Sequence, residues 1–202
     1  MTRYSALATQ IMKEIIFEKE QYELEIFPKI DNSWTLFLDR DGVINKKLDN
    51  DYVKSLSEFK WLPDVPEAIV GLSKIFGKIC IVTNQQGIGK GLMTTKQLDE
   101  IHHFLSNEIK RNGGNINAIY HAPQLAQENS EMRKPNIGMA RQAKNDFPDI
   151  DFHKSIMVGD SLSDIEFGRR AGMTPILISD EDTNDVYSVE SLIEFYNLLK
   201  SK

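Results

Sequence analysis

The chain has 202 residues, enough for one domain with a substantial core, or one domain with a short appendage. Its 41% hydrophobic and 27% charged residues are ordinary for a globular protein. The formal charge of −6 argues against nucleic acid as a general partner while leaving room for a phosphorylated metabolite in a local basic pocket. The single cysteine, Cys80, excludes an internal disulfide. No apolar run approaches the roughly 20 residues that cross a bilayer, and residues 1–10 lack a signal-peptide core, so a cytoplasmic protein is expected.

In chain order, Ile11, Ile15 and Ile16 at helical spacing predict an amphipathic helix over residues 6–24, either packed on the main domain or serving as a dimerisation arm. Pro28 and Asp31-Asn32-Ser33 break it, so residues 1–32 read as a helical extension and 33–202 as the main domain. Strands are predicted at 35–38, 78–82, 116–121, 155–158 and 175–178. Helices are predicted at 66–76, 94–111 (capped by Thr94 or Thr95), 136–146, 163–171 (stopped by Gly172) and 188–199. This alternation predicts a parallel sheet covered by helices on both faces. Ligands of such sheets bind beyond the carboxyl ends of the strands, where Asp39, Asp41, Thr83, Asn84, Gly159 and Asp160 all fall.

Asp39 and Asp41, two residues apart after the first strand, can reach one pocket. Such a pair can divide labour: one carboxylate attacks phosphorus, the other protonates the leaving alcohol and later activates water. A carboxylate repels a phosphate dianion, so a cation is needed between them, and Mg2+ suits that place. The bland alternative is a turn or a calcium-type loop. Thr83 offers a hydroxyl for phosphoryl oxygens, or a cap for the next turn. Lys134, in Arg133-Lys134-Pro135, can neutralise phosphate or can be a surface lysine. Gly159-Asp160 followed by Asp164 fits a metal ligand plus a group that binds metal or orients Lys134; the alternative is a helix N-cap.

Taken together, these four elements resemble the motifs of the haloacid dehalogenase superfamily from about Trp34 to Ser179. The resemblance implies a Rossmann-like three-layer fold and a phosphatase with Asp39 as nucleophile and Asp41 as general acid and base. It also implies that Thr83 binds the phosphoryl group and Lys134 stabilises it, and that magnesium is held by Asp39, Asp160 and the Asp41 carbonyl. Asp39-Arg40-Asp41-Gly42-Val43-Ile44-Asn45, the run Thr83 to Gly91 and Arg133-Lys134-Pro135 resemble the branch of D,D-heptose 1,7-bisphosphate and histidinol-phosphate phosphatases. That implies Asn84, Gln85, Lys90 and Arg133 near the substrate, with Lys90 placed for a second phosphate, and Asn45 orienting Asp41 or substrate.

One departure stands out. The branch carries a zinc loop of three cysteines and a histidine, but residues 120–132 contain His121 and no cysteine, so other contacts must order this loop, with Pro123 a candidate. The gaps between motifs leave no room for a large cap domain. The expected substrate is a small phosphorylated metabolite, first a heptose bisphosphate and second histidinol phosphate. No nucleic acid or membrane partner is expected, and a monomer or weak dimer is. A nucleic-acid-end phosphatase is a weaker enzymatic alternative. A catalytically retired binding protein is the alternative from another class.

Overall fold

Short β-branched and aliphatic runs build the centre of the molecule because they are buried on both sides. The structure, a computed structural model, describes residues 30–181 and 185–200; the helix expected over 6–24 lies outside them. Its strands are β1 (Thr35–Leu38), β2 (Lys78–Asn84), β3 (Ala118–Ala122), β4 (Ser155–Gly159), β5 (Thr174–Ile178) and β6 (Tyr187–Val189). The helices are α1 (Val65–Leu72), α2 (Thr95–Arg111), α3 (Gly138–Asp146), α4 (Leu162–Ala171) and α5 (Leu192–Lys200). The strands form one six-stranded sheet in the order β3-β2-β1-β4-β5-β6, every pairing parallel.

Alternation along each strand divides the core. Phe37, Cys80, Val82 and Met157 face α3 and α4, where Met139, Ala140, Ala143 and Phe167 cover them. Leu36, Leu38, Ile79, Ile81, Ile156 and Val158 point the other way and are equally buried. On that side α1 packs against α2 and α5. No separate cap domain interrupts the described residues, and none of their helices is long and apolar enough to cross a membrane.

Several element ends differ from expectation for local reasons. Residues 188 and 189, expected to open the last helix, instead belong to β6 beside β5, and the helix begins at Leu192. A three-residue strand has too little periodicity to betray itself. Helix α1 stops at Leu72, not Phe76, because the amides of Lys74 and Ile75 turn back to the carbonyls three residues earlier. Strand β3 starts at Ala118, since the Asn117 side chain accepts the amide hydrogen bond of Ile79 at 2.8 Å. Thr94 does cap α2, in a reciprocal box with Gln97.

Sheet order decides where the site lies. After β3 the chain crosses to β4 on the other side of β1, so the carboxyl ends of β1 and β4 flank the point where strand order reverses.

Candidate active site

Asp39 follows β1 directly, and its amide donates to the Val158 carbonyl of β4 at 2.9 Å. Its Oδ1 accepts from the Arg40 amide at 2.7 Å and pairs with the Lys134 ammonium at 2.8 Å. The same ammonium lies 2.6 Å from Asp164 Oδ1 and donates to the Val82 carbonyl at 2.8 Å. Lys134 is 3% exposed, so this cation is held wholly by protein groups. Burial alone would lower its proton affinity, but Asp164 and Asp39 outweigh that and raise it.

Asp164 is fully buried and serves two partners. Oδ1 faces Lys134, while Oδ2 accepts from the amide and hydroxyl of Ser161 at 3.1 and 2.6 Å, capping α4. One side chain thus joins a cap at the start of α4 to an ion pair with Lys134.

Asp39, Asp160 and Asp164 bring carboxylate oxygens within 4.8 Å of one another. Desolvation dominates the proton affinity of Asp39 and, with Asp164 and Asp41 adding to it and Lys134 opposing, carries it up to about 7. Burial likewise raises Asp160, against the pull of Lys47, whose ammonium sits 2.7 Å from Oδ2. The other Asp160 oxygen, Oδ1, is buried without a hydrogen-bond partner. Crowded carboxylates, a cation already drawn to one of them and an unpartnered oxygen make a donor set that fits a hard divalent cation. Since both oxygens of Asp164 have protein partners, Asp39 and Asp160 are the side chains with capacity left for it.

Asp41 is tied differently. Arg40 Nη2 donates to both of its oxygens, at 3.0 and 2.8 Å, Asn45 Nδ2 to Oδ1 at 2.8 Å, and Gln85 Nε2 to Oδ2 at 2.7 Å. Burial pushes its proton affinity up, but Arg40, Asn45 and Gln85 outweigh it and hold the carboxyl below its ordinary range. Gln85 also donates to Thr83 Oγ1 at 2.9 Å. The Thr83 hydroxyl therefore accepts that bond and keeps its own proton for a ligand.

Asn84 clamps the backbone of Lys134. Its Nδ2 donates to the Lys134 carbonyl at 3.1 Å and its Oδ1 accepts the Lys134 amide at 3.0 Å. Lys90 and Arg133 lie at the rim. The exposed Lys90 ammonium donates to the Tyr52 hydroxyl at 2.9 Å and lies over its ring. Arg133 donates to the Gln124 carbonyl at 3.4 Å, lies near Tyr52, and has its proton affinity lowered by partial burial. The loop that lacks cysteines is held by backbone hydrogen bonds and packing. Gly89 donates to the Pro123 carbonyl at 3.2 Å, Gly138 to the Glu131 carbonyl at 2.8 Å, and Met132 packs on the core. His121, in β3, lies with its ring 6.0 Å from His102.

The sequence reading missed Arg40, Lys47 and Tyr52. Arg40 carried the plainest signal, a charged residue locked between two candidate aspartates at the end of a buried strand.

A family model described as polynucleotide kinase 3 phosphatase matches residues 35–190. The D-glycero-alpha-D-manno-heptose-1,7-bisphosphate 7-phosphatase of Mycobacterium tuberculosis is 39% identical over 135 residues, 67% of this chain and 71% of that protein. The D-glycero-beta-D-manno-heptose-1,7-bisphosphate 7-phosphatase of Pseudomonas aeruginosa is 36% identical over 143 residues, 71% and 79% of the two chains. Among solved structures, the D,D-heptose 1,7-bisphosphate phosphatase of B. bronchiseptica, complexed with magnesium and phosphate, superposes with a TM-score of 0.76 at 30% identity, covering 83% of this chain and 98% of that one. Motif residues gathered at the reversal of strand order, a family match from β1 to beyond β6, and relatives that share a third or more of their residues converge: the chain is a phosphatase and belongs to the haloacid dehalogenase superfamily, in the family of the polynucleotide kinase 3 phosphatases.

Proposed function

We propose that this chain is a magnesium-dependent phosphomonoesterase working through an aspartyl-phosphate at Asp39, with a D-glycero-D-manno-heptose 1,7-bisphosphate as substrate. The observation that carries the chemistry is the buried Asp39–Lys134–Asp164 array with a free Asp160 oxygen beside it. Relatives named for heptose bisphosphate support the substrate class.

Both contacts to Asp39 fall on Oδ1, from Lys134 and the Arg40 amide, so Oδ2 is the attacking oxygen. The Thr83 hydroxyl receives a phosphoryl oxygen, while the Lys134 ammonium, its three donors committed to Asp39, Asp164 and Val82, offsets the negative charge that builds up around Asp39. Magnesium, held by Asp39, Asp160 and the Asp41 carbonyl, would supply the charge that lets a carboxylate approach a phosphate. Asp41 starts ionised; the incoming dianion raises its proton affinity, so it takes up a proton from solvent and passes it to the leaving alkoxide. It then takes a proton from the water that cleaves the aspartyl-phosphate. Arg133 and Lys90, beside Tyr52, meet the phosphate that is not transferred, and Asp164 orients Lys134. Such chemistry suits a cytoplasmic enzyme of sugar-phosphate metabolism.

Phosphate release from the purified chain, with magnesium and with chelator, tests this. The panel holds both anomers of heptose 1,7-bisphosphate, histidinol phosphate and a 3′-phosphorylated oligonucleotide, the last included because of the family description. Magnesium-dependent release favouring one heptose anomer is expected, lost in Asp39→Asn with the fold intact. Preference for the oligonucleotide or histidinol phosphate would overturn the substrate, and equal release by Asp39→Asn would overturn the nucleophile.

A further inference from the structure

The grip of Arg40 on Asp41 continues outward on its other side. Arg40 is fully buried, and a guanidinium carries donors only. Its Nη2 is committed to Asp41, and its Nη1 lies 3.3 Å from Nε2 of His102 in α2. Arginine cannot accept a hydrogen bond, so His102 Nε2 must. The imidazole is therefore neutral, with its proton on Nδ1. Its surroundings agree: burial, then the positive charge of Arg40, then His121, push its proton affinity down to about 3, with Asp41 opposing. His102 is 8% exposed and lies within the apolar stripe of α2 formed by Leu98, Ile101, Leu105 and Ile109. On its outer side is a cleft of about 260 Å³ lined also by Asp99, His103, Ser106, Ile119 and His121.

We propose that His102 is a positioning residue of the phosphatase reaction, a neutral acceptor that fixes the Arg40 guanidinium and through it the carboxyl of Asp41. This rests on the acid and base role given to Asp41 above. Arg40 Nε is buried without a hydrogen-bond partner, so the described hydrogen bonds that orient the guanidinium all run through its two Nη atoms. Removing the His102 acceptor leaves Nη1 buried with no described hydrogen-bond partner, so the guanidinium shifts within its packing and Asp41 keeps only the bonds from Asn45 and Gln85 in their present geometry. Aspartate displaced by an ångström or less is a poor proton donor, while substrate groups bound elsewhere keep their contacts.

The test uses leaving groups. The first half-reaction, reported by kcat/KM, needs a proton for an alkyl phosphate but scarcely for 4-nitrophenyl phosphate. For the full chain with magnesium, Asp41→Asn and His102→Leu should both lose kcat/KM on the alkyl ester, His102→Leu by roughly 10–100-fold, and far less on the aryl ester. His102→Gln, which keeps an acceptor, should restore most of it. Equal losses on both esters in His102→Leu, with Asp41→Asn still discriminating, would make His102 structural and overturn the proposal. No discrimination by Asp41→Asn would sink the acid role itself, and the positioning proposal with it. Should His102→Leu not fold, ¹⁵N-histidine NMR of the parent decides. The chain has four histidines, and His102→Gln identifies the signal. An unprotonated Nε2 with protonated Nδ1 is expected, and a protonated Nε2 overturns the proposal.

Discussion

Asp164 places one oxygen 2.6 Å from the Lys134 ammonium and turns the other back onto the amide and hydroxyl of Ser161. One carboxylate thus ties the start of α4 to the cation beneath Asp39. Breaking a buried pair by removing one partner costs about 3–5 kcal/mol, and losing a helix cap about 1 more. Asp164→Ala is expected to lose stability on that scale in urea denaturation. Asp164→Asn, which keeps an oxygen for Ser161, should lose less stability yet as much turnover. Equal stability of Asp164→Ala and parent would detach the pair from the fold.

The proton affinity of Asp39 makes a prediction with a definite sign. Its carboxyl is lifted by burial to about 7, whereas an unfolded aspartate titrates near about 3.9. Between those values the folded chain holds a proton that the unfolded chain has lost, so stability from this group falls as pH rises through that window. In chelator, Asp39→Asn should therefore exceed the parent by on the order of 1–3 kcal/mol at pH 8 and match it near pH 4. A gap that does not widen with pH would refute the assignment.

Lys47 sits where an added cation would be drawn. Its side chain is 54% exposed, so its pair with Asp160 is worth little, about 0.2–1 kcal/mol. Lys47→Ala should bind magnesium more tightly by roughly 1.5–5-fold in calorimetric titration. Weaker binding would show that Lys47 assists the metal instead of competing with it.

Gly42 has φ +97°, and a Cβ there would lie 2.1 Å from Asp160 Oδ2. The aspartate side chain can swing aside, so Gly42→Ala should cost only about 1–2 kcal/mol of backbone strain while greatly weakening magnesium binding. Melting and metal titration on the same variant separate the two effects.

Arg133→Ala and Lys90→Ala should each raise KM for the bisphosphate by roughly tenfold and leave KM for the corresponding heptose 7-phosphate almost unchanged. A shift on both substrates would place these cations at the transferred phosphate.

The candidate site was legible where chemistry and strand ends coincide. Asp39, Asp41, Thr83, Lys134, Asp160 and Asp164 converge because each follows or faces a buried strand whose apolar run is visible in the chain. The same runs revealed five of the six strands and the covering helices. What stayed hidden depends on contacts between distant segments. Nothing local says that Lys47 reaches Asp160 or that Tyr52 meets Lys90. His102 could have been flagged, since it interrupts the apolar stripe of α2, but only the fold sets it against Arg40.

The two hydrogen bonds between the Asn84 side chain and the backbone of Lys134 separate the position of this lysine from that of the loop before it. They fix the lysine against β2, and its ammonium is fixed by Val82, Asp39 and Asp164, so no residue of the segment 121–132 is needed to keep it in register. Substitutions at the exposed positions of that segment are therefore expected to change the rim while the ion pairs of Lys134 stay in place. The arrangement makes the loop a natural target for grafting new substrate preferences onto an unchanged engine.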